Sequence, residues 1–270
     1  MKYSGIVLIS DLDGTLLDED RRLSVDNLNA IKNFTENGGQ FGIATGRMEQ
    51  TTRKSFPELP VNVPSIFYNG ALIYDLEQGK KVRESLISKD MGSFFQGFLD
   101  RFPDLGMEIN CSGRAYILRG NEILSTQLMR EGLDGIEAGW DMIPGGWYKV
   151  LLAASHECLV KVKDLFGGFK RPDICVVFSE RQLLDIMAGD VSKGNALNFL
   201  RKKFNWKNVV AIGDSENDIT LLESADIGVA VANASEAVKK ASSHIIKTNR
   251  TPCIPQVLRI IDEVFLKNGL

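Results

Sequence analysis

Two aspartates, Asp11 and Asp13, stand two residues apart directly after a short apolar segment at residues 6–9. That segment is rich in β-branched residues, which is typical of a strand buried on both faces. Two carboxylates this close repel each other unless a cation lies beside them or one of them takes a proton. Ligands of open parallel sheets bind at the carboxyl ends of the strands. The pair therefore predicts a metal site, or an acid–base pair, at a strand tip.

Two other interpretations apply to the same residues. The pattern Asp-x-Asp-Gly opens EF-hand calcium loops, which require an Asx at position five, glycine at six and glutamate at twelve. Those positions hold Thr15, Leu16 and Arg22, so the calcium loop is excluded. A polar turn with a purely structural role stays open on these residues alone.

Further polar residues follow other predicted strands or begin a predicted helix. They are Thr45, Gly46 and Arg47 after residues 41–44, Lys193 next to the helix cap Ser192, and Asp214, Asn217 and Asp218 after residues 209–212. Parallel strands of one sheet point their carboxyl ends the same way, so these groups can meet in one crevice. Several carboxylates suit Mg²⁺, whereas a hydroxyl, a lysine and backbone N–H groups suit a phosphate.

Each of these residues also has a structural interpretation when taken alone. Thr45 to Arg47 resembles a common strand-to-helix turn, and Asp214 a helix cap. Lys193 would be a solvated lysine in a first helical turn, where the helix dipole slightly disfavours it. Arg47, at the predicted crevice mouth, fits substrate contact and a structural role about equally. Residues 18–20 form a charge run that predicts a solvated turn.

The elements that must position these residues alternate between strand and helix in residues 1–83 and 188–270. Between them lie residues 84–187, called the inserted segment below. Their pattern predicts a helix and two strands at its start and the same order at its end, with a helix at residues 122–130 and a strand at residues 147–153 between the two units. The pattern predicts an α/β fold, with a parallel-sheet core domain and an inserted α+β domain laid on one open sheet. Trp140, Trp147 and the phenylalanines of residues 94–102 are expected in the core of the inserted domain.

The composition narrows the function. A net charge of −3 over 270 residues disfavours a broad nucleic-acid or anionic-membrane surface. The chain has four scattered cysteines and two histidines, which favours reduced thiols and disfavours a His-rich metal site. No G-x-G-x-x-G follows a strand and no P-loop occurs. With no long apolar run and no signal peptide, we expect a soluble cytoplasmic protein.

Taken in this order, four segments resemble the motifs of the haloacid dehalogenase superfamily of phosphohydrolases. The likeness is to its Cof-like subgroup, which has a Rossmann-like core and a large cap of type IIB inserted after the third core strand. Asp-Leu-Asp-Gly-Thr-Leu from Asp11 matches the first motif, and Ala-Thr-Gly-Arg around Thr45 matches the second. Ser-Lys-Gly around Lys193 matches the third, and residues 213–218 match the fourth.

The resemblance implies roles for these residues. Asp11 would be the nucleophile that becomes an aspartyl phosphate, and Asp13 the general acid and then the base. Mg²⁺ would be held by Asp11, the backbone carbonyl of Asp13, Asp214 and, directly or through water, Asp218. Thr45 and Lys193 would hold the phosphate, with Gly46 and Asn217 close by. Arg47, at the predicted crevice mouth, is the further candidate for substrate binding.

We therefore predict a Mg²⁺-dependent phosphomonoesterase for a small phosphorylated metabolite such as a sugar phosphate, acting as a monomer or weak homo-oligomer without nucleic-acid or membrane partners. A phosphotransferase or phosphomutase with the same intermediate stays open, as does a non-catalytic sugar-phosphate sensor. The intact set of Asp11, Asp13, Lys193 and Asp214 disfavours the sensor. The inserted segment should choose the substrate, and loops at residues 108–113 and 139–149 are its candidate contacts.

Overall fold

A computed structural model describes residues 1–169 and 171–266 of the chain. The first part alternates strands and helices, and every residue of its first strand is buried, as the apolar sequence predicts. Its elements are β1 (Ile6–Ser10), α1 (Val25–Glu36), β2 (Gln40–Ile43), α2 (Glu49–Ser55), β3 (Ser65–Phe67), β4 (Leu72–Asp75) and β5 (Lys80–Glu84).

The inserted segment follows the predicted order of helix and paired strands, with one addition. A short strand, β8, lies in the glycine-rich stretch after α4, where no strand was predicted. The elements are α3 (Gly92–Arg101), β6 (Gly106–Cys111), β7 (Arg114–Arg119), α4 (Glu122–Glu131), β8 (Gly135–Glu137), β9 (Lys149–Ala153), α5 (His156–Phe169), β10 (Ile174–Glu180) and β11 (Leu183–Ala188).

The last part of the chain returns to alternating helices and strands. Its elements are α6 (Lys193–Phe204), β12 (Asn208–Gly213), α7 (Ile219–Ser224), β13 (Ile227–Val231), α8 (Glu236–Ala241), β14 (His244–Ile246) and α9 (Ile254–Ile261).

The first and last parts share one sheet, in the order β14-β13-β12-β1-β2, with all neighbours parallel. Ser10 pairs with Ile212 and with Ile43, so β1, β12 and β2 end side by side. A single parallel bridge from Ala44 to Ile66 leads on to β3, which begins the antiparallel sheet β3-β4-β5. This register brings the residues after β1, β2 and β12 to one edge, as the sequence predicts.

The inserted segment forms a second sheet, in the order β10-β11-β9-β6-β7-β8, antiparallel except for the β7–β8 pair. A separate apolar cluster forms beside it, with Trp147 and Phe95 fully buried and Trp140 packed against them. The predicted packing role of these aromatic residues is confirmed. The division of the chain at residues 83/84 and 187/188 stays a prediction.

The prediction that residues 108–113 form a loop is largely wrong. Glu108 and Asn110 lie inside β6 and are buried, and the turn itself consists of Ser112 and Gly113, both with positive φ. The cause is strand pairing on both sides, since β6 bonds to β7 and to β9. Among the residues that the structure describes, no helix combines the length and apolar character needed to cross a membrane.

Candidate active site

A cleft of about 510 Å³ opens at the edge where β1, β2 and β12 end, and the inserted segment covers it. Most residues predicted for the site line it: Asp11, Asp13, Thr45, Gly46, Arg47, Asp214 and Asn217. Lys193 and Asp218 lie beneath its floor, fully buried and bonded to one another. The structure thus brings together all nine residues that the sequence singled out.

Three carboxylates meet at this floor. Asp11, Asp214 and Asp218 each offer an oxygen within 4.8 Å of the others. The Lys193 ammonium donates to Asp11 Oδ1 at 2.7 Å and to Asp218 Oδ1 at 2.6 Å. One lysine cannot neutralise three carboxylates, so the cluster carries an excess of negative charge when all of them are ionised.

The protonation of these carboxylates reflects that excess. Burial raises the pKa of Asp11 well above its ordinary value, and Lys193 opposes the rise. Burial, and then the neighbouring Asp218, raise the pKa of Asp214 to about 7. A cation bound among the three oxygens would favour their ionised forms. The donor set therefore fits a hard divalent cation such as Mg²⁺, which prefers oxygen ligands.

Backbone and hydroxyl groups hold the carboxylates in place. Asp218 Oδ2 accepts hydrogen bonds from the N–H groups of Asp214 and Ser215, both at 3.0 Å. Thr15 Oγ1 donates to Asp214 Oδ1 at 3.0 Å. Gly14 has a φ of +78°, and a Cβ there would lie 2.5 Å from Asp214 Oδ2. Only glycine can make this turn so close to the carboxylate.

Thr45 presents a hydroxyl to the cleft with its proton available. The Arg47 N–H donates to Thr45 Oγ1 at 3.1 Å, so the oxygen is an acceptor in that bond. Because the acceptor side is occupied, the hydroxyl proton can be donated to a bound anion. This geometry suits a phosphate-binding turn.

Asp13 lies apart from the carboxylate cluster. Arg47 donates to both of its oxygens, Nε to Oδ2 at 2.7 Å and Nη2 to Oδ1 at 2.5 Å, and Arg21 Nη1 lies 3.3 Å from Oδ1. Burial alone would raise the pKa of Asp13, but the hydrogen bonds and charge of Arg47, together with the charges of Arg21 and Lys193, outweigh it and lower the pKa below its ordinary value. Arg47 is itself buried, so it is a partner of Asp13 and not a solvated residue at the cleft mouth.

The inserted segment contributes residues that sequence reasoning missed. They line the cleft and include Gln127, Glu131, Glu180 and Asp185. The sequence predicted contacts from the segments 108–113 and 139–149. Of these segments, Lys149 alone is among the described residues that line the cleft. Lys149 begins the strand Lys-Val-Leu-Leu-Ala, and Asp185 interrupts Leu-Leu-Asp-Ile-Met-Ala. A single charged residue within an otherwise apolar strand is the sequence feature that could have identified these two residues as candidates for the site.

The comparisons with known proteins agree with this architecture. The sequence model of the haloacid dehalogenase-like hydrolases matches residues 8–258. The chain belongs to the haloacid dehalogenase-like hydrolases. It is 26% identical over 268 residues to the phosphatase YwpJ of Bacillus subtilis, covering 88% of this chain and 93% of YwpJ. It is 28% identical over 277 residues to the pyridoxal phosphate phosphatase YbhA of Escherichia coli, covering 93% and 97%.

A solved structure described as the HAD subclass IIB sugar phosphatase BT4131 superposes with a TM-score of 0.81. The match covers 94% of this chain and 98% of that one at 19% identity, so it speaks for the fold alone. The structural match confirms the predicted fold class. The family model and the related phosphatases confirm the membership of the Cof-like subgroup and the assignment as a phosphatase of this superfamily.

Proposed function

We propose that this haloacid dehalogenase-like hydrolase is a Mg²⁺-dependent phosphomonoesterase that forms an aspartyl phosphate on Asp11. One observation carries the proposal. Asp11, backed by Lys193 at 2.7 Å, shares a cleft with the Thr45 hydroxyl and lies in a cluster of three carboxylates. The arrangement joins a nucleophile, phosphate-binding donors and metal ligands within one site.

In the proposed reaction, the Asp11 carboxylate attacks phosphorus and the ester oxygen leaves. Thr45 and Lys193 hold the phosphate oxygens, and Asp13 gives a proton to the leaving alcohol. Asp13 then takes a proton from the water that attacks the aspartyl phosphate, which releases inorganic phosphate and restores Asp11. Bound Mg²⁺, held by Asp11, Asp214 and the carbonyl of Asp13, would supply charge neutralisation at the transferring group.

The bonds to Asp13 bear on the order of these steps. With both oxygens accepting from Arg47, Asp13 is ionised and suited to the base step. The acid step requires that it hold a proton. We propose that a phosphate entering the cleft competes for the Arg47 guanidinium and so frees Asp13 to carry that proton.

The residues that line the cleft favour a substrate whose leaving group is small, uncharged and hydroxylated. The four cationic side chains of the lining (Arg21, Arg47, Arg130 and Lys149) are outnumbered by carboxylates, which disfavours a further anionic group on the leaving group. Besides the residues of the cleft floor, these carboxylates are Asp13, Asp18, Glu19, Asp20, Glu131, Glu180 and Asp185. Glu131 lines the cleft and its Oε1 accepts a hydrogen bond from Gln127, so we propose its second oxygen as the acceptor for a substrate hydroxyl. These features favour a sugar phosphate or a similar metabolite. Location in the cytoplasm and oligomeric state stay predictions.

The first test measures phosphate release from p-nitrophenyl phosphate with and without Mg²⁺, for the unaltered protein and for Asp11→Asn. We expect Mg²⁺-dependent release that the substitution abolishes, because no phosphoenzyme can form. Asp26→Asn, an exposed aspartate in α1, is the matched control and should keep full activity. Turnover by Asp11→Asn at the unaltered rate would contradict the proposal. Transfer of the phosphate to an added alcohol would instead indicate a phosphotransferase.

The second test concerns the leaving group. Glu131→Gln should lower kcat/KM for glucose 6-phosphate relative to hexyl phosphate by about 10-fold or more, because a charged acceptor for a hydroxyl is lost. Hydrolysis of p-nitrophenyl phosphate should change little. Glu137→Gln, at an exposed position in β8, is the control. An unchanged ratio of the two alkyl substrates would show that Glu131 does not contact the leaving group.

A further inference from the structure

A set of polar side chains crosses from the inserted segment to the core beside the phosphate-binding turn. Asn217 Nδ2 donates to Asn69 Oδ1 at 2.9 Å, and Asn69 Nδ2 donates to Asp185 Oδ2 at 2.7 Å. Lys149 Nζ donates to the backbone carbonyl of Gly46 at 3.0 Å and lies 3.5 Å from Asp185 Oδ1. These five residues, called the boundary network below, connect β9 and β11 to the loops that follow β2, β3 and β12.

The two charges of the boundary network are removed from water. Lys149 is 5% exposed and Asp185 is 0% exposed. Burial alone would lower the pKa of Lys149, but the carboxylates of Asp185, Glu131 and Glu108 raise it above its ordinary value. The lysine is therefore a buried cation whose position is set by Asp185 on one side and by the Gly46 carbonyl on the other.

The boundary network contains features that stabilise a fold less well than apolar packing would. Asp185 Oδ1 and Asn217 Oδ1 are buried without a hydrogen-bond partner among the described residues. Apolar residues of similar volume often stabilise a fold as well as a buried ion pair does, or better. These features together indicate that the network serves the site beside it.

The close approach at Gly46 has the same implication. A Cβ on Gly46 would lie 3.1 Å from Asn69 Oδ1 and 3.5 Å from Asp185 Oδ2, so the turn packs closely against the network. Gly46 directly follows Thr45, whose hydroxyl faces the cleft. Asn217 directly precedes Asp218 and lies three residues after Asp214.

We propose that Lys149 and Asp185 are positioning residues for the chemical step itself. Lys149 orients the peptide that follows Thr45, and Asp185, through Asn69, holds Asn217 in the loop that carries Asp214 and Asp218. The inference rests on the proposed phosphatase site but extends it. Hydrolysis of any phosphate ester, including an aryl phosphate that makes few contacts with the inserted segment, then depends on two residues of that segment.

Variants can separate this role from stability. Lys149→Met leaves the buried Asp185 carboxylate without its cation, and Asp185→Leu removes the carboxylate that contributes most to keeping Lys149 charged, so each should lower Tm. The double variant Lys149→Met/Asp185→Leu removes both charges and should recover most of Tm. Its kcat for p-nitrophenyl phosphate should nevertheless stay about 10- to 100-fold below that of the unaltered protein, because small misplacements of reacting groups reduce rates by such factors.

A conservative variant tests the hydrogen bond to Asn69 separately from the charge. Lys149→Met/Asp185→Asn keeps an oxygen at residue 185 that can accept from Asn69. It should therefore retain a higher kcat than the Leu-containing double variant at a similar Tm. The matched control removes the exposed pair Lys161 and Glu157 of α5, which lie 2.9 Å apart, as Lys161→Met/Glu157→Leu. We expect no change in kcat and little change in Tm for this control.

Two readouts decide the outcome. If the Leu-containing double variant regains both Tm and kcat, the boundary network is structural and the inference is overturned. Titration calorimetry measures the affinity for inorganic phosphate in the presence of Mg²⁺, and this measurement needs no turnover. We expect the double variant to bind phosphate more weakly than the unaltered protein. Unchanged phosphate affinity of the double variant would overturn the inference, whether or not the unaltered protein hydrolyses an ester. Absence of ester hydrolysis by the unaltered protein would instead contradict the proposed function.

Discussion

Asp11 and Asp13 follow the same strand but lie in different surroundings. Asp11 faces Lys193 within the carboxylate cluster, whereas both oxygens of Asp13 accept from Arg47. Burial raises the pKa of the first, and the bonds from Arg47 lower that of the second. The proposed division of work needs the reverse protonation states. It therefore requires a bound cation to favour the ionised form of Asp11, and a bound phosphate to draw Arg47 away from Asp13.

This division of work can be tested with Asp13→Asn, which leaves the nucleophile but removes the proton donor. Formation of the phosphoenzyme from a sugar phosphate should slow by ~10²–10⁴-fold, because an alkoxide leaves poorly without a proton. Formation from an aryl phosphate should slow far less. Since breakdown also needs Asp13 as a base, phosphoenzyme should accumulate from the aryl substrate. Rapid-quench measurement of hydroxylamine-labile phosphate on the protein detects it. Equal losses with both substrates and no trapped intermediate would contradict the assignment.

Glu108 provides a residue-scale test of pH dependence. Burial in β6 raises its pKa from 4.5 to about 7, although Lys149 opposes the rise. The folded protein therefore holds this proton up to about pH 7, whereas the unfolded chain releases it near pH 4.5. The resulting contribution to the free energy of unfolding is fully present below the pKa of the unfolded chain, and it is lost as the pH rises through the pKa of the folded protein. It amounts to at most about 3 kcal/mol.

Glu108→Gln stays neutral at every pH, so its free energy of unfolding should fall less between pH 5 and pH 7.5 than that of the unaltered protein. Urea unfolding at the two pH values measures the difference. Glu137→Gln is an exposed control that should keep the unaltered slope. If the slope of Glu108→Gln also equals that of the unaltered protein, Glu108 does not titrate as described.

The position of Lys193 is a property of the element that carries it. The side chain of Ser192 accepts from the Asn195 N–H at 3.0 Å and caps α6, so the helix begins at Lys193. The next residue, Gly194, packs directly on α7, and its N–H donates to Thr220 Oγ1 at 3.2 Å. The start of α6 is thereby held against the helix that follows the carboxylate loop, which keeps Lys193 beneath the cleft.

Gly194→Ala tests this helix contact. A Cβ there would lie 2.2 Å from the backbone oxygen of Thr220, so α6 and α7 must separate. We expect a loss of roughly 1–3 kcal/mol in the free energy of unfolding, measured in urea. Gly167→Ala in α5 is the matched control, because nothing lies within 4 Å of its Cβ. The control should gain roughly 0.5–1 kcal/mol. Equal effects of the two substitutions would show that the contact is not tight.

At the scale of the whole molecule, the proposed metal site depends on the fold, since its ligands come from the tip of β1 and from the loop after β12. Exhaustive chelation with EDTA should remove activity and Mg²⁺ should restore it, while Ca²⁺ should inhibit because it accepts looser geometries. Mg²⁺ should also raise Tm of the unaltered protein, because it binds the folded state alone. Full activity after chelation, with no effect of Mg²⁺ on Tm, would contradict the metal role.

The local sequence determined which residues stand at the strand tips. An apolar β-branched run followed by Asp11 and Asp13, or a cap residue followed by Lys193, is a pattern of neighbouring residues, and the alternation of strands and helices fixes the direction in which each tip points. Once the strands are parallel, the tips must share an edge. For this reason the nine predicted site residues could be named before their distances were known.

Only the tertiary structure decided which side chains pair across the boundary between the inserted segment and the core. Asn69 and Asp185 lie 116 residues apart, and Gly46 and Lys149 lie 103 residues apart. Their meeting depends on the register of β9 and β11 and on how the inserted sheet lies on the core, which local periodicity does not encode. The same holds for Arg47, whose partner Asp13 removes it from solvent. Burial of a charge depends on the partner that compensates it, and here the fold supplies that partner.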